Sequence, residues 1–493
     1  MKRDTLNIAI LAMVVLAAGI YLITTTVLTS KDGVFYIRTA QELAATSDAL
    51  KGSFPLGYPL MVRGAHAVGT IVGQPPGNAS WVLAGQCVSL AARLFTIIPL
   101  YLIGRQWLGP RHAFMSLLLF VLLPLPAQAG ADVLRDWPYL LFFVTGLFLL
   151  IQGAKTDRPW FFAALGLVSM LGVTVRTEAC QLVLFGLMWL GWRIFSKESR
   201  PQWRRHATSA VLLLAVFLLP TVGYFAMRGA QLPKNLNIIR QQFQHTPQDE
   251  HEASIPSRNQ VECMTAGVDG RLLDLGRQVL DRTSANLLWI FFPAFIIGTV
   301  YRLRYRADRI ERFVLYALTG VTACLLVSRY YLIGPSISSR YLLPLITVLN
   351  GHTMTGVIVA MAWCIRTLRR TERFRPFIKK RAISLHTLLM TFCVIVCVPV
   401  MLKPIHHDKT SYRAAVQWLG DKTPSHARVA SFDIRIPFLA DRPEGSNETG
   451  YDYVVRRIKI RDTEFVGGGW REVFRGCYGK PANCSYVVIY QTR

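Results

Sequence analysis

Charge is scarce in this 493-residue chain: 17% of its residues are Asp, Glu, Lys or Arg, while 52% are hydrophobic. Acidic residues are the scarcer sign, 29 against 55 basic, for a net charge of +26. So little charge, with a mean hydropathy of +0.33, excludes an ordinary soluble domain and points to a polytopic membrane protein. The basic residues fall in blocks between apolar segments with no stacking motif beside them, which excludes a nucleic-acid partner. Cysteine is also thin. No Cys/His set has zinc spacing, six of the nine cysteines (87, 180, 324, 364, 393 and 397) lie inside apolar runs as small hydrophobes, and the His406-His407 pair reads as an interfacial contact. Internal repeats, low-complexity tracts, matched Gly/Pro-broken helices and charges at mid-span are lacking too, which counts against a transporter.

What is abundant is long apolar sequence. Leu6 to Leu28 is 23 residues without a charge, preceded by Lys2 and Arg3. It has no small-residue cleavage site and exceeds the about 7–15 residues of a signal-peptide core, so it is expected to be a retained first helix with its N-terminus inside. Applying the positive-inside rule to the short loops predicts eleven spans. Residues 29–80 then lie outside, with Phe54 to Gly73 as an interfacial stretch. The second and third spans are Trp81–Ile103 and His112–Ala127. Spans four to six place Lys155 and Arg158 inside, Arg176 outside and the block at 197–205 inside. Ala207–Met227 opens an outer loop that reaches about Ser284, and Ala285–Val300 and Phe313–Tyr331 flank the inner arginines at 302–312. The tenth span begins near Arg340 and leads to the basic block at 366–381, and the last is Ser384–Leu402. Counting Phe54–Gly73 as a full span would put three basic blocks outside, so the rule rejects it.

Residues 1–402 are thus expected to form a transmembrane unit and 403–493 a small external α/β domain. Within the latter, Tyr412–Leu419 reads as an amphipathic helix, and Arg428–Phe432 and Ser485–Tyr490 as strands. Cys477 and Cys484 flank a turn-rich segment in what would be an oxidising compartment, where a disulfide is the expected state.

Several short motifs occur in a telling order. An Asp in the first outer loop (Lys31-Asp32-Gly33-Val34-Phe35-Tyr36) is followed by Pro55-Leu56-Gly57-Tyr58-Pro59, an acidic second outer loop with Asp132 and Asp136, a late Arg340-Tyr341-Leu342-Leu343-Pro344, and the external domain. In this order the chain resembles the GT-C glycosyltransferases, among them protein O-mannosyltransferases, the aminoarabinose transferase acting on lipid A, and the oligosaccharyltransferase catalytic subunit. The resemblance implies a polyprenyl-phosphate sugar donor, a lipid, glycan or protein acceptor, and a place in the bacterial inner membrane with the chemistry on the outer face.

It also implies roles. The family's loop-one aspartate falls on Asp32, which would accept the acceptor's proton; because the leaving group is already a phosphate anion, no matching general acid is needed. A second reading makes Asp32 the N-cap of a helix beginning near Val34. Arg340 is the first candidate for a two-pronged phosphate clamp, with Arg176 and Arg63 next. Tyr36, Tyr58 and Trp137 would line the sugar pocket, and Tyr341, beside Arg340, is a further substrate-binding candidate. Some relatives carry a lysine where this chain has Phe54, and Lys51 is the nearest replacement. Oligosaccharyltransferase-like members hold a divalent metal through the acidic second loop. Here Asp132 and Asp136 lack that motif's spacing and Arg135 lies between them, so an ion-paired structural role is expected and no metal is assigned; Glu178 is expected to partner Arg176. Two rival readings stay open: another polyprenyl-linked polymerase or ligase, and a non-enzymatic flippase.

Overall fold

The structure, a computed structural model, describes residues 2–45, 55–196, 202–228, 268–370, 385–445, 450–459, 470–478 and 485–492. It is an α-helical membrane architecture with a small C-terminal sheet. By length and composition six segments among the described residues can cross a membrane: α1 (Lys2–Thr25), α4 (Asn78–Leu108), α7 (Asp136–Thr156), the stretch Thr177–Phe195 that contains α9 (Gln181–Phe195), α10 (Trp203–Met227) and α13 (Arg309–Leu332). Two bent pairs add α11 (Val268–Asn286) with α12 (Phe291–Tyr305), and Ser339–Val348, which holds α14 (Leu343–Val348), with α15 (Asn350–Arg370). Three shorter apolar helices complete the set: α5 (Pro110–Leu122), α8 (Pro159–Val175) and the end of α16 (Leu385–Met401). Each of the eleven predicted apolar runs is helical, and among the described residues six to eight of them are long enough to cross a membrane.

The differences lie where local chemistry interrupts a run. The third predicted span stops at Leu122, because Pro124 has no N–H to continue the helix, and resumes as the short α6 (Pro124–Ala129). The Val121 carbonyl near this break takes its hydrogen bond from Arg93 Nη2 at 2.7 Å. The eighth span begins at Phe291, not Ala285. Ala285 lies in the last turn of the amphipathic α11, whose exposed Arg277, Asp281 and Arg282 disfavour the bilayer interior, and the chain turns by 103° through Leu288 and Trp289, both left-handed. The tenth bends by 68° before Asn350, whose amide donates to the Thr347 carbonyl at 2.7 Å and accepts from the Ser116 hydroxyl.

The predicted interfacial segment is helical: α2 (Lys31–Ala45) and α3 (Gly57–Ile71) pack together and on α4. The C-terminal part folds as α17 (Thr410–Lys422) and α18 (Arg435–Leu439) with a four-stranded sheet. Its strands, β1 (Val429–Ser431), β2 (Tyr453–Lys459), β3 (Trp470–Tyr478) and β4 (Ser485–Thr492), run in the order β1-β2-β4-β3, with only the β1–β2 pair parallel. The two strands unmarked in the sequence, β2 and β3, are rich in arginine and lie in a sheet whose buried centre is β4. A separate apolar cluster of Tyr412, Leu419, Val429, Ile436, Val487 and Ile489 holds this unit. Polar contacts dock it beside the start of α2: Arg435 Nη1 donates to the Thr29 carbonyl (3.1 Å), and Asn78 reaches Asp441 (2.9 Å) and the Phe438 carbonyl (2.7 Å). Cys484 lies outside the described residues, and with it the expected disulfide, as do Lys51 and Phe54.

Candidate active site

The site forms where the starts of α2 and α7 meet. Ser30 precedes α2, and its hydroxyl accepts from the Gly33 N–H at 3.1 Å, the contact of an N-cap, while donating to the Val133 carbonyl at 3.1 Å. Ser30 therefore does the capping. Asp32 sits inside the first turn, its carboxylate free to point elsewhere. Close approach of the two segments needs Gly33, since a Cβ there would lie 2.8 Å from Val133 Cβ. Asp132 ties the same junction together: it accepts from Thr29 Oγ1 (3.1 Å), Ser30 N (3.0 Å) and Val133 N (2.7 Å), and stands 3.8 Å from His406. Burial pushes this carboxyl up and the imidazole down, while the hydrogen bonds pull the carboxyl back. Asp132 is a buried structural group, partnered by backbone and His406.

Alternating charges extend from Asp32 into the protein. Arg340, in a 3-10 turn at Ser339–Leu342, gives Nη2 to Asp32 Oδ2 at 2.6 Å and holds Nη1 3.5 Å from Asp136 Oδ2. Asp136, in the first turn of α7 and 3% exposed, takes Arg176 Nη1 at 2.7 Å on its other oxygen. Arg176 Nε lies 3.1 Å from Glu178, and its guanidinium packs over Tyr139 and Tyr341, 5.3 and 5.2 Å from the ring centres. Burial alone would disfavour its charge, yet Glu178 and Asp136 outweigh this and raise its pKa. Among the described residues neither Asp136 Oδ2 nor Arg176 Nε finds a well-aligned hydrogen-bond partner, so both buried atoms keep bonding capacity.

Beside this chain opens a cavity of about 310 Å³ between the start of α9 and the end of α13. Arg176, Glu178, Arg329, Arg340 and Tyr341 line it together with the apolar Leu325, Leu326, Leu332, Ile333 and Pro344. Arg329 stacks on Tyr341 at 4.5 Å and leaves a buried Nε without a hydrogen-bond partner among the described residues. Three arginines on the lining of a largely apolar slot suit a ligand with an anionic head and a hydrocarbon tail.

Asp32, Arg340, Tyr341, Arg176 and Asp136 are thus brought together. Tyr36 lies next to them, buried, with Arg135 over its ring at 5.6 Å; burial raises its pKa. Tyr58 sits behind Tyr36, edge to face at 5.3 Å, and is fully buried with its hydroxyl on the Gly85 carbonyl (3.1 Å). Trp137 is likewise internal, bonded to the Pro126 carbonyl. Arg63 lies apart, its guanidinium on the Leu43 carbonyl of the last turn of α2 at 2.6 Å. Arg135 neighbours Tyr36 rather than bridging the two loop aspartates: Asp132 faces His406, and Asp136 pairs with Arg176 and approaches Arg340. Arg329, Tyr139 and Gln181 are the additions. Arg329 stands in Ser328-Arg329-Tyr330-Tyr331 at the end of an apolar span, the same placement that marks Arg340. Each carboxylate of the cluster faces an arginine, and no group of three or more metal-type ligands occurs among the described residues.

A sequence model of the dolichyl-phosphate-mannose-protein mannosyltransferase family matches residues 77–225, the part that holds Asp132, Asp136, Arg176 and Glu178. Among solved structures the chain is similar to ArnT from Cupriavidus metallidurans bound to undecaprenyl phosphate, at 13% identity over 98% of this chain and 97% of that one, with a TM-score of 0.58. It is also similar to the Archaeoglobus fulgidus oligosaccharyltransferase in its apo form, at 12% identity over 92% and 69% of the chains, with a TM-score of 0.54. The archaeal enzyme AglB in complex with an inhibitory peptide and a dolichol-phosphate gives 12% identity over the same shares and a TM-score of 0.52. No curated protein matches the sequence significantly. The fold is that of the GT-C glycosyltransferases, and the chain is a multi-pass membrane protein of that architecture.

Proposed function

We propose that this protein is a glycosyltransferase that moves a sugar from a polyprenyl monophosphate to a lipid, glycan or protein acceptor on the outer face of the bacterial inner membrane. The observation that carries this reading is the pairing of Asp32 with Arg340, which itself lines the apolar cavity. Two structural neighbours bind undecaprenyl phosphate and dolichol-phosphate respectively, which supports a lipid-phosphate ligand for the slot.

The chemistry follows from charge and position. The acceptor hydroxyl or amine attacks the anomeric carbon while its proton passes to the Asp32 carboxylate. The bond from that carbon to the phosphate oxygen breaks, the electron pair leaves with the phosphate, and the sugar inverts. Arg329 and Arg340 balance the charge on the departing phosphate. Arg340 occupies one oxygen of the Asp32 carboxylate, and a phosphate that draws Arg340 away frees that oxygen when donor is present. Donor binding would thus arm the base. Asp136 and Glu178 keep Arg176 fixed, and Tyr139 and Tyr341 set its plane.

The test is incubation of the purified protein with radiolabelled polyprenyl-phosphate sugars and membrane fractions. Label should pass to an acceptor in wild type and fail to do so in Asp32→Asn. Label that crosses the bilayer without a new covalent product would replace this reading by a flippase.

A further inference from the structure

We infer that Gln278 is a positioning residue for Arg340, an inference that rests on the glycosyltransfer reading above. Residues 333–338 form a strap between the last turn of α13, which carries Arg329, and the turn that carries Arg340. The strap has little regular structure of its own: Gly334 has φ +148° and Pro335 cannot donate. At one end Ile333 N and Gly334 N bond to the Arg329 carbonyl, and at the other Tyr341 N bonds to Ser338.

Between those ends, the strap is held by α11. The Gln278 carboxamide donates from Nε2 to the Pro335 carbonyl at 2.9 Å and accepts at Oε1 from Ile337 N at 3.2 Å, pairing as a neighbouring strand's peptide would. Gln278 is itself oriented, since Nε2 also reaches Asp274 Oδ2 at 2.7 Å, and that oxygen takes the Tyr330 hydroxyl at 2.6 Å. Two turns on, Asn286 Nδ2 donates to the Ser339 carbonyl at 3.1 Å, one residue before Arg340. No residue of α11 lines the cavity. The helix therefore grips the strap from outside the site and sets where Arg340 stands relative to Arg329. Two arginines that share one phosphate need that separation kept, because a displacement of about 1 Å at a binding group costs up to about 100-fold.

The experiment measures affinity of the purified full-length protein for undecaprenyl phosphate, with melting temperature as a folding control. The variants are Gln278→Ala, Gln278→Glu, Arg340→Ala and the two doubles. Gln278→Ala is expected to weaken binding about tenfold, with melting near wild type. Gln278→Glu keeps the acceptor for Ile337 but loses the donor to Pro335 and sets a second carboxylate against Asp274, so it also weakens binding. In the Arg340→Ala background neither change should weaken binding further, because Gln278 acts through Arg340. If Gln278→Ala does not fold, the isosteric Gln278→Glu gives the same reading. Unchanged affinity in both Gln278 variants while Arg340→Ala binds weakly would overturn the positioning role alone, and so would full additivity in the doubles. Unchanged affinity in Arg340→Ala would instead remove the phosphate clamp, and the positioning role with it.

Discussion

Two carboxylates meet Arg340, and burial separates what each does. The Asp32 side chain is 45% exposed and Arg340 34%, so their bridge contributes about 0–1 kcal/mol to stability. Ser30, not Asp32, caps α2, which removes the second structural claim on Asp32. Asp32→Asn should therefore lower sugar transfer by about 10²–10⁴-fold with a melting temperature close to wild type. Transfer within a few-fold of wild type would show Asp32 to be dispensable for the chemistry. Asp136 is the opposite case. Its buried carboxylate offsets Arg176, whose side chain is 8% exposed, and removing one partner of such a pair costs about 3–5 kcal/mol. Asp136→Ala should fall in expression and melting temperature before any catalytic effect can be read. Arg329 is held by a ring rather than by a carboxylate. Arg329→Lys keeps the charge but loses planar stacking worth about 0.5–2 kcal/mol, and should bind undecaprenyl phosphate several-fold more weakly; equal binding would place Arg329 outside the site. Asp32 and Arg340 were legible in the sequence as polar residues at the ends of apolar runs. Arg329 was equally legible in that sense but had no motif to single it out, and Tyr58 looked like pocket lining because sequence does not say which side of α3 faces α4.

At the scale of elements, the crossing of α12 with α15 controls the helix that follows the Arg340 turn. A Cβ on Gly298 would run into the His352 carbonyl, and one on Gly356 into the Ala294 carbonyl, so glycine is what lets the two backbones touch. One end of the crossing is pinned by Glu311, which takes Arg302 Nε and Nη2 at 2.5 and 2.7 Å and lies 3.2 Å from His352. Gly356→Val should destabilise the protein by about 1–3 kcal/mol, the usual cost of overpacking, and differential scanning fluorimetry in detergent would record it. An unaltered melting temperature would mean that the helices do not cross this closely.

For the whole molecule, docking of the C-terminal unit couples stability to pH in two windows. Burial pushes His406 below the usual imidazole range, with Asp132 opposing. A histidine kept neutral by the fold contributes stability that is lost as pH falls below its unfolded value of about 6.5. Burial would raise Asp433, but the two-pronged hydrogen bonds from Arg435 outweigh it and hold the carboxyl below its ordinary range. That stability is present above the unfolded value of about 3.9 and is lost as pH falls through the lower folded one. Melting temperature should therefore decline in two stages on acidification, with His406→Gln removing the upper stage and Asp433→Asn the lower. A single stage untouched by either change would rule out this coupling. Sidedness has its own test: single cysteines at 32 or 413 should react with an impermeant thiol reagent on intact cells, and ones at 105 or 304 should not. Reversed labelling would end the outer-face scheme.

Where the chain enters and leaves the apolar phase was determined by the sequence itself, because hydropathy and the placement of Lys and Arg are local properties that each segment carries alone. The eleven apolar segments, the helical interfacial stretch and the strands at Val429 and Ser485 were readable for that reason. Only the tertiary structure decided which charge answers which. Asp32 and Arg340 stand 308 positions apart, and they meet because Asp132 and Gly33 seat α2 on the α6–α7 loop while Gln278 and Asn286 hold the strap before Arg340. The bends at Trp289 and Asn350 and the Ser30 cap were decided at the same level. Such pairings depend on how helices pack across the bilayer, and neither periodicity nor composition encodes a contact between segments so far apart.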